Sequence, residues 1–316
     1  MNCPSCNAKA KKFGKDRQGH QRFRCLNCKK TFIESYARPL GDMRLPLEKA
    51  VAVVQHLVEG CSIRITERIT GVEKRTILAL LARIGPRCAR LLEQRVRALS
   101  VKDVECDEVW GWVGMKEKTK KKNGKDSPQI GDAWCFVGME CHTKLILAWH
   151  LGRRTEADTV AFTEKLAHAT QGPFQISTDG FPAYRNAVAL SLGAQRVDFA
   201  QVVKVYAQKH EDEARYSPAD CVGICKCSVH GNPDMARAGT SRIERQNLSL
   251  RMGMRRMTRL SNAFSKKWAN LQHAYALQFA FYNFCRVHQT LRVSPAVQSG
   301  ITDHIWTISE LILATQ

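Results

Sequence analysis

The chain has 316 residues with ordinary globular composition, 44% hydrophobic and 25% charged, but 49 Lys+Arg stand against 29 Asp+Glu for a formal charge of +20. That length allows two or three units with real cores, and the excess of cations implies a polyanionic partner held through phosphate contacts. No run approaches the ~20 apolar residues of a membrane span, and MNCPSCNAKA lacks the apolar core of a signal peptide, which excludes a membrane protein and predicts a cytoplasmic location. Thirteen cysteines at uneven spacings then fit reduced thiols and metal ligands better than a disulfide framework.

Residues 1–38 read as a zinc ribbon. Cys3-x2-Cys6 is followed eighteen residues later by Cys25-x2-Cys28, the spacing of a four-thiolate site that closes around Zn²⁺ and leaves no position for water. Phe13, Phe23 and Phe32 are expected to cover it, and a unit this small needs the metal to fold.

From residue 44 to 97 the periodicity is helical. Val51, Val54, Leu57 and Val58 recur at helical steps until Gly60; Ser62 can cap a short helix over 63–69; Gly71-Val72 turns the chain into a helix over 73–84 with Ile77, Leu80, Leu81 and Ile84 inward. Two short helices joined by a Gly turn predict a helix-turn-helix, with Lys74, Arg75 and Thr76 placed to meet DNA at the start of the second helix. A bland three-helix bundle shares this pattern.

Residues 100–316 read as a third unit. Strands are expected over 104–113, 133–140 and 145–151, with a charged loop over 116–127. A helix follows from Thr155, then a strand over 174–178 ending at Asp179, and a helix over 183–192. This β-β-β-α-β-α order resembles the ribonuclease H-like α/β fold with a mixed sheet, in which the first and fourth strands are neighbours, so that Asp107 and Asp179 would meet. Asp107 competes locally with Asp103, Glu105 and Glu108, one of which should face solvent, and Asp179-Gly180 could be only a turn. A helix from Ser241 to about Met257 puts Ile243, Leu250, Met254 and Met257 on one stripe and Glu244, Leu248, Arg251 and Arg255 on another, while Ser241-x-x-Glu244 also matches a capping box.

The runs Asp107–Lys116, Thr178–Tyr184 and Arg242–Arg251 resemble the catalytic blocks of the IS1 family of bacterial insertion-sequence transposases, and the ribbon and helix-turn-helix are similar to that family's DNA-binding region. The resemblance implies a DDE transposase whose acid triad is Asp107, Asp179 and Glu244. These would hold catalytic Mg²⁺ (or Mn²⁺) for in-line phosphoryl transfer, first cutting the ends of an element and then joining the 3′-OH to target DNA. Double-stranded DNA is the implied partner, at least a homodimer the implied assembly, and Arg251, Arg255 and Arg256 the expected contacts to its backbone. Tyr282–Leu291 and Ser294-Pro295 resemble the helix end and tail of many such enzymes. Sixty-four residues separate Asp179 from Glu244, so an insertion is expected at about 196–239; it holds Glu211, Asp212 and Glu213, and Cys221, Cys225, Cys227 and His230 as a conceivable second zinc site.

Overall fold

In the computed structural model, which describes residues 1–16, 19–33, 40–207, 220–259 and 261–314, the N-terminal unit Met1–Met43 is built on three short strands. These are β1 (Ala10–Lys15), β2 (Gln21–Cys25) and β3 (Thr31–Ile33), antiparallel in that order. Phe23 is buried and stacks on Phe32 with ring centres 6.0 Å apart. Phe13 does not join them. Phe23 pairs with Lys12, so strand alternation sends Phe13 to the opposite face, where the Arg22 and Arg24 guanidinium groups lie over its exposed ring.

The second unit, Arg44–Gln316, begins with three helices: α1 (Leu47–Val58), α2 (Ile63–Thr70) and α3 (Lys74–Arg95). Ser62 Oγ caps α2 by accepting from Ile65 N, Gly71 ends it at φ 68°, and Glu73 caps α3 through the amides of Arg75 and Thr76. Ile77, Leu80, Leu81 and Ile84 are buried as their spacing requires. The third helix does not stop at Ile84. It continues through Gly85 and Pro86 to Arg95, because tertiary packing outweighs the roughly 3 kcal/mol that an interior proline costs. At Gly85 an added Cβ would lie 2.4 Å from His273 Cβ, so the glycine lets α3 cross a later helix at close range. By its contacts the segment 44–97 groups with the residues that follow it.

After the short β4 (Leu99–Ser100), β5 (Asp103–Val113), β6 (Gly131–Glu140) and β7 (Ile146–Gly152) form an antiparallel meander. A short helix, α4 (Glu117–Lys122), lies where the sequence predicted only a charged loop. Thr155 caps α5 (Glu156–Ala169), which leads through β8 (Thr170–Gln171), a partner of β4, into β9 (Phe174–Thr178) and α6 (Ala183–Leu192). Then come β10 (Val197–Tyr206), β11 (Cys221–His230), α7 (Ser241–Gly253), a 3-10 turn (Arg255–Met257), α8 (Trp268–Phe284), α9 (Pro295–Gln298) and α10 (Ile308–Ala314).

The main sheet has the order β11-β10-β9-β5-β6-β7, parallel at β5–β9 and β9–β10 and antiparallel elsewhere, which makes it a mixed α/β sheet. One face carries α5 and α6, with Phe136, Phe162 and Tyr184 in mutual contact. On the other, Trp149 meets Tyr275 and Phe279 of α8, and the Asn283 side chain pairs with both backbone groups of Ile146. The front of the segment expected as an insertion is a sheet strand: Val197–Gln201 pair with Phe174–Thr178 and are largely buried. Beyond Gln201, β10 and β11 continue as a two-stranded ribbon; Glu211, Asp212 and Glu213 lie outside the described residues. No helix among the described residues is long and apolar enough to cross a membrane.

Candidate active site and metal-binding clusters

The register of the parallel pair builds the first cluster. Cys106 sits opposite Thr178, where β9 ends, so the next residues of β5 run past the end of this parallel neighbour. Asp107 and Glu108 leave opposite faces of β5, yet both reach this gap and meet Asp179, with ligand oxygens of all three within 4.8 Å of one another. Asp179 also makes the turn its sequence suggested, accepting from Phe181 N at 3.0 Å through Oδ1. Its other oxygen faces Arg154 at 3.4 Å.

Like charges in a half-buried cleft disfavour ionisation. Burial pushes the Asp107 carboxyl up to about 6, aided by the charges of Asp179 and Glu244 and opposed by the Glu108 amide and Asn247. Burial and the charge of Asp179 push Glu108 up to about 7, opposed by Arg154. Arg154 pairs with Glu108 at 3.1 Å and is held between the Trp134 and Phe181 rings, which fixes its direction. Glu108 Oε1 is buried with no well-directed hydrogen bond, although the Tyr184 hydroxyl is nearby. Asn247 Oδ1 is likewise buried and unpartnered, while its Nδ2 donates to Asp107 Oδ2 at 2.8 Å. Crowded carboxylates and orphaned oxygens are the donor set of a hard divalent cation.

Glu244 is near this group but not in it. Its charge acts on Asp107, while both its oxygens are taken by Lys204 Nζ of β10, and Thr240 Oγ1 donates to one of them at 2.7 Å. The capping box is not formed. The helix starts from Thr240, and the amides of Arg242 and Ile243 are satisfied by Glu105 Oε2 at 2.9 Å each. Glu105 thus caps α7 from another strand and leaves Glu244 free of that duty.

The expectation that one of the competing acids faces solvent fails. Asp103, Glu105 and Glu108 are all buried, and each is paired: Asp103 with Arg237 and His142, Glu105 with α7 and Arg242, and Glu108 with Arg154. A buried carboxylate is retained only with such partners. Sequence reasoning weighed Glu108 against Asp107 and set it aside, and it missed Asn247, Lys204 and Arg154 as members of the site. Asn247 had a signal, standing one helical turn beyond Glu244; Lys204 and Arg154 had none, since the sheet alone brings them there.

The second cluster is Cys3, Cys6, Cys25 and Cys28, whose sulfurs all lie within 4.8 Å. Cys3 and Cys28 are 3.6 Å apart and Cys6 and Cys25 3.5 Å, against about 3.8 Å between thiolates on a tetrahedral ion with bonds of about 2.3 Å. Amides of Ser5, Asn27 and Cys28 point at the sulfurs of Cys3 and Cys25. This group can hold a metal such as zinc. Cys221, Cys225, Cys227 and His230 make no such cluster among the described residues. They lie along one extended strand, in which only Cys225 and Cys227 approach, at 3.5 Å, and Cys221 is four residues away at ~3.3 Å per residue.

Of the residues expected to meet DNA, Lys74 and Arg75 are exposed at the start of α3 and Thr76 is half-buried. Arg255 is exposed. Arg251 donates to the carbonyls of Trp110 and Met257, bracing α7 against β5, and Arg256 is drawn inward onto Ser265 Oγ at 2.9 Å. No protein-family model matches the chain.

Proposed function

We propose that the protein is a DDE transposase with a ribonuclease H-like catalytic sheet, which cuts the ends of an insertion element and joins them to target DNA. The observation that carries this reading is the parallel pairing of β5 with β9, which brings Asp107 and Asp179 together in a half-buried cleft where β9 ends, with Glu244 on the nearby helix α7. The strand order agrees with it. So does the net charge of +20 on a chain that nevertheless brings Asp107, Glu108 and Asp179 together.

In this reading Asp107, Asp179 and Glu244 hold Mg²⁺ or Mn²⁺, with Glu108 and Asn247 beside them, and the four cysteines hold structural Zn²⁺. The divalent ions supply Lewis-acid stabilisation of the attacking and leaving oxygens of a phosphodiester. The chain's own residues do the rest. Asn247 fixes the rotamer of Asp107, and Arg154 offsets the charge of Glu108 and Asp179. Lys204 neutralises Glu244 and must give it up when a metal binds. Exposed Lys74, Arg75 and Arg255 supply contacts to double-stranded DNA. Pairing two ends calls for at least a homodimer.

The test is an assay with labelled candidate ends, Mg²⁺ and a target plasmid. Cut ends joined to the plasmid support a transposase; cutting without joined products makes the protein a nuclease of the same architecture; no cutting in either metal removes the enzyme reading.

A further inference from the structure

A cleft of about 810 Å³ lies between the helical segment and the chain that follows α7. Leu57, Leu78 and Leu277 contribute to its apolar floor. Arg64, Lys74, Arg255, Arg256, Lys266 and Lys267 stand around it, and none of the described residues that line it is acidic. Within it, Arg256 keeps Nη2 buried and without a hydrogen-bond partner. Burial alone brings that guanidinium down to about 10, since no carboxylate offsets it. An uncompensated buried cation is costly, and an anion from outside removes the cost.

Phe264 is at the cleft wall, and from it an aromatic row runs back along β5. Its ring centre is 5.5 Å from that of Trp112, which is 5.2 Å from that of Trp110, three residues from Asp107. All three rings are partly exposed, with Lys116 over the tryptophans and Lys266 over Phe264. Duplex phosphates have no use for an apolar floor or a row of rings. An unpaired strand does, because it offers both charges and free π-faces. The ring spacing exceeds the ~3.4 Å of bases stacked in a duplex strand, which suits splayed bases.

We propose that the row Trp110–Trp112–Phe264 and the cleft behind it bind a short unpaired stretch of DNA, its bases on the rings and a phosphate at Arg256. This rests on the reading of the chain as a DNA-cutting enzyme and adds that the strand leaving the carboxylates is unpaired.

Binding of the full zinc-loaded chain is measured by anisotropy in Ca²⁺, with a blunt duplex and with one carrying a short 3′ overhang that contains 2-aminopurine. The wild type binds the overhang about 10-fold more tightly and changes the 2-aminopurine emission on binding. Phe264→Leu and Trp112→Leu each lose about 5- to 10-fold of overhang affinity, a base stack being worth about 1 kcal/mol or more and the loss ending at the affinity of the blunt duplex, which is unchanged. Arg256→Gln, checked for folding by circular dichroism, and the exposed Lys267→Gln lower overhang affinity and flatten its salt dependence. Equal affinity for the two DNAs, or an overhang preference that survives both Phe264→Leu and Arg256→Gln, overturns the proposal. Either result with cutting intact leaves the transposase reading standing, whereas overhang preference in a protein that never cuts sinks that reading alone.

Discussion

Asn247 donates its side-chain amide to Asp107 at 2.8 Å, tying the helix that carries Glu244 to the strand that carries Asp107. Its own carbonyl oxygen is left buried and unpaired. Replacing it with alanine removes a donor that favours the charged carboxylate. Asn247→Ala should weaken divalent-ion affinity about 10-fold, the worth of a hydrogen bond to a charged group, as read by calorimetric titration with Mn²⁺. Affinity equal to wild type would show that Asn247 plays no part in the site.

Asp107→Asn, Asp179→Asn and Glu244→Gln should each drop plasmid cutting to background while duplex affinity in a gel-shift assay changes less than about 3-fold, because a ligand charge is lost and the basic surface is kept. Full cutting by any one variant removes that residue from the triad. Glu108→Gln discriminates further: retained cutting assigns Glu108 to support of Arg154, and lost cutting assigns it to the metal.

The pH dependence follows from the crowded carboxylates. Asp107 and Glu108 titrate near 6 and 7 in the folded chain, above their ordinary values near 4. Both are raised, so their contribution to stability is present below about pH 4 and is lost as pH rises through about 7. The metal-free protein should lose a few kcal/mol over that window, seen as a falling Tm, and Mg²⁺ should restore it. Metal affinity should rise over the same range as protons leave. A Tm that climbs from pH 5 to 7.5 without metal would contradict this.

Lys204 holds Glu244 in a partly exposed ion pair, for which solvent screening leaves about 1 kcal/mol or less. A metal ion must displace it. Lys204→Met should therefore bind Mn²⁺ up to about 5-fold more tightly, with little change in Tm. Weaker binding would mean that the lysine positions Glu244 for the metal.

The N-terminal unit has one buried phenylalanine and four clustered thiols. Its fold should depend on metal, since zinc-ribbon ligation is worth on the order of 10 kcal/mol and the core supplies far less. Chelation, or Cys25→Ser, should open residues 1–43 to proteolysis and leave the larger unit's thermal transition in place. Co²⁺ exchange should give thiolate charge-transfer bands. An intact, protease-resistant unit after complete metal removal would refute the dependence.

Local pattern was enough for the elements of the sheet. The 104–113, 133–140 and 174–178 runs are strands within a few residues, and Thr155 and Ser62 cap the helices they were expected to cap. Pattern failed at Pro86, where packing carries the helix past a breaker, and at Ser241, where Glu105 does the capping from 136 positions earlier in the chain. The first failure is a propensity overruled by burial. The second is a contact that no local window contains.

The sequence by itself determined the four-cysteine cluster, the basic charge and the placement of Asp179 just past a strand, because spacing and period-two alternation are local properties; Asp107, expected at a strand end, lies in the middle of β5. Only the tertiary structure decided which acids converge. Strand β9 stops opposite Cys106, so Asp107 and Glu108 share the space next to Asp179, while Glu244 on the facing helix is drawn to Lys204. Carboxylates far apart in the chain meet only when sheet register brings them together, and register is set by the burial of both faces of the sheet.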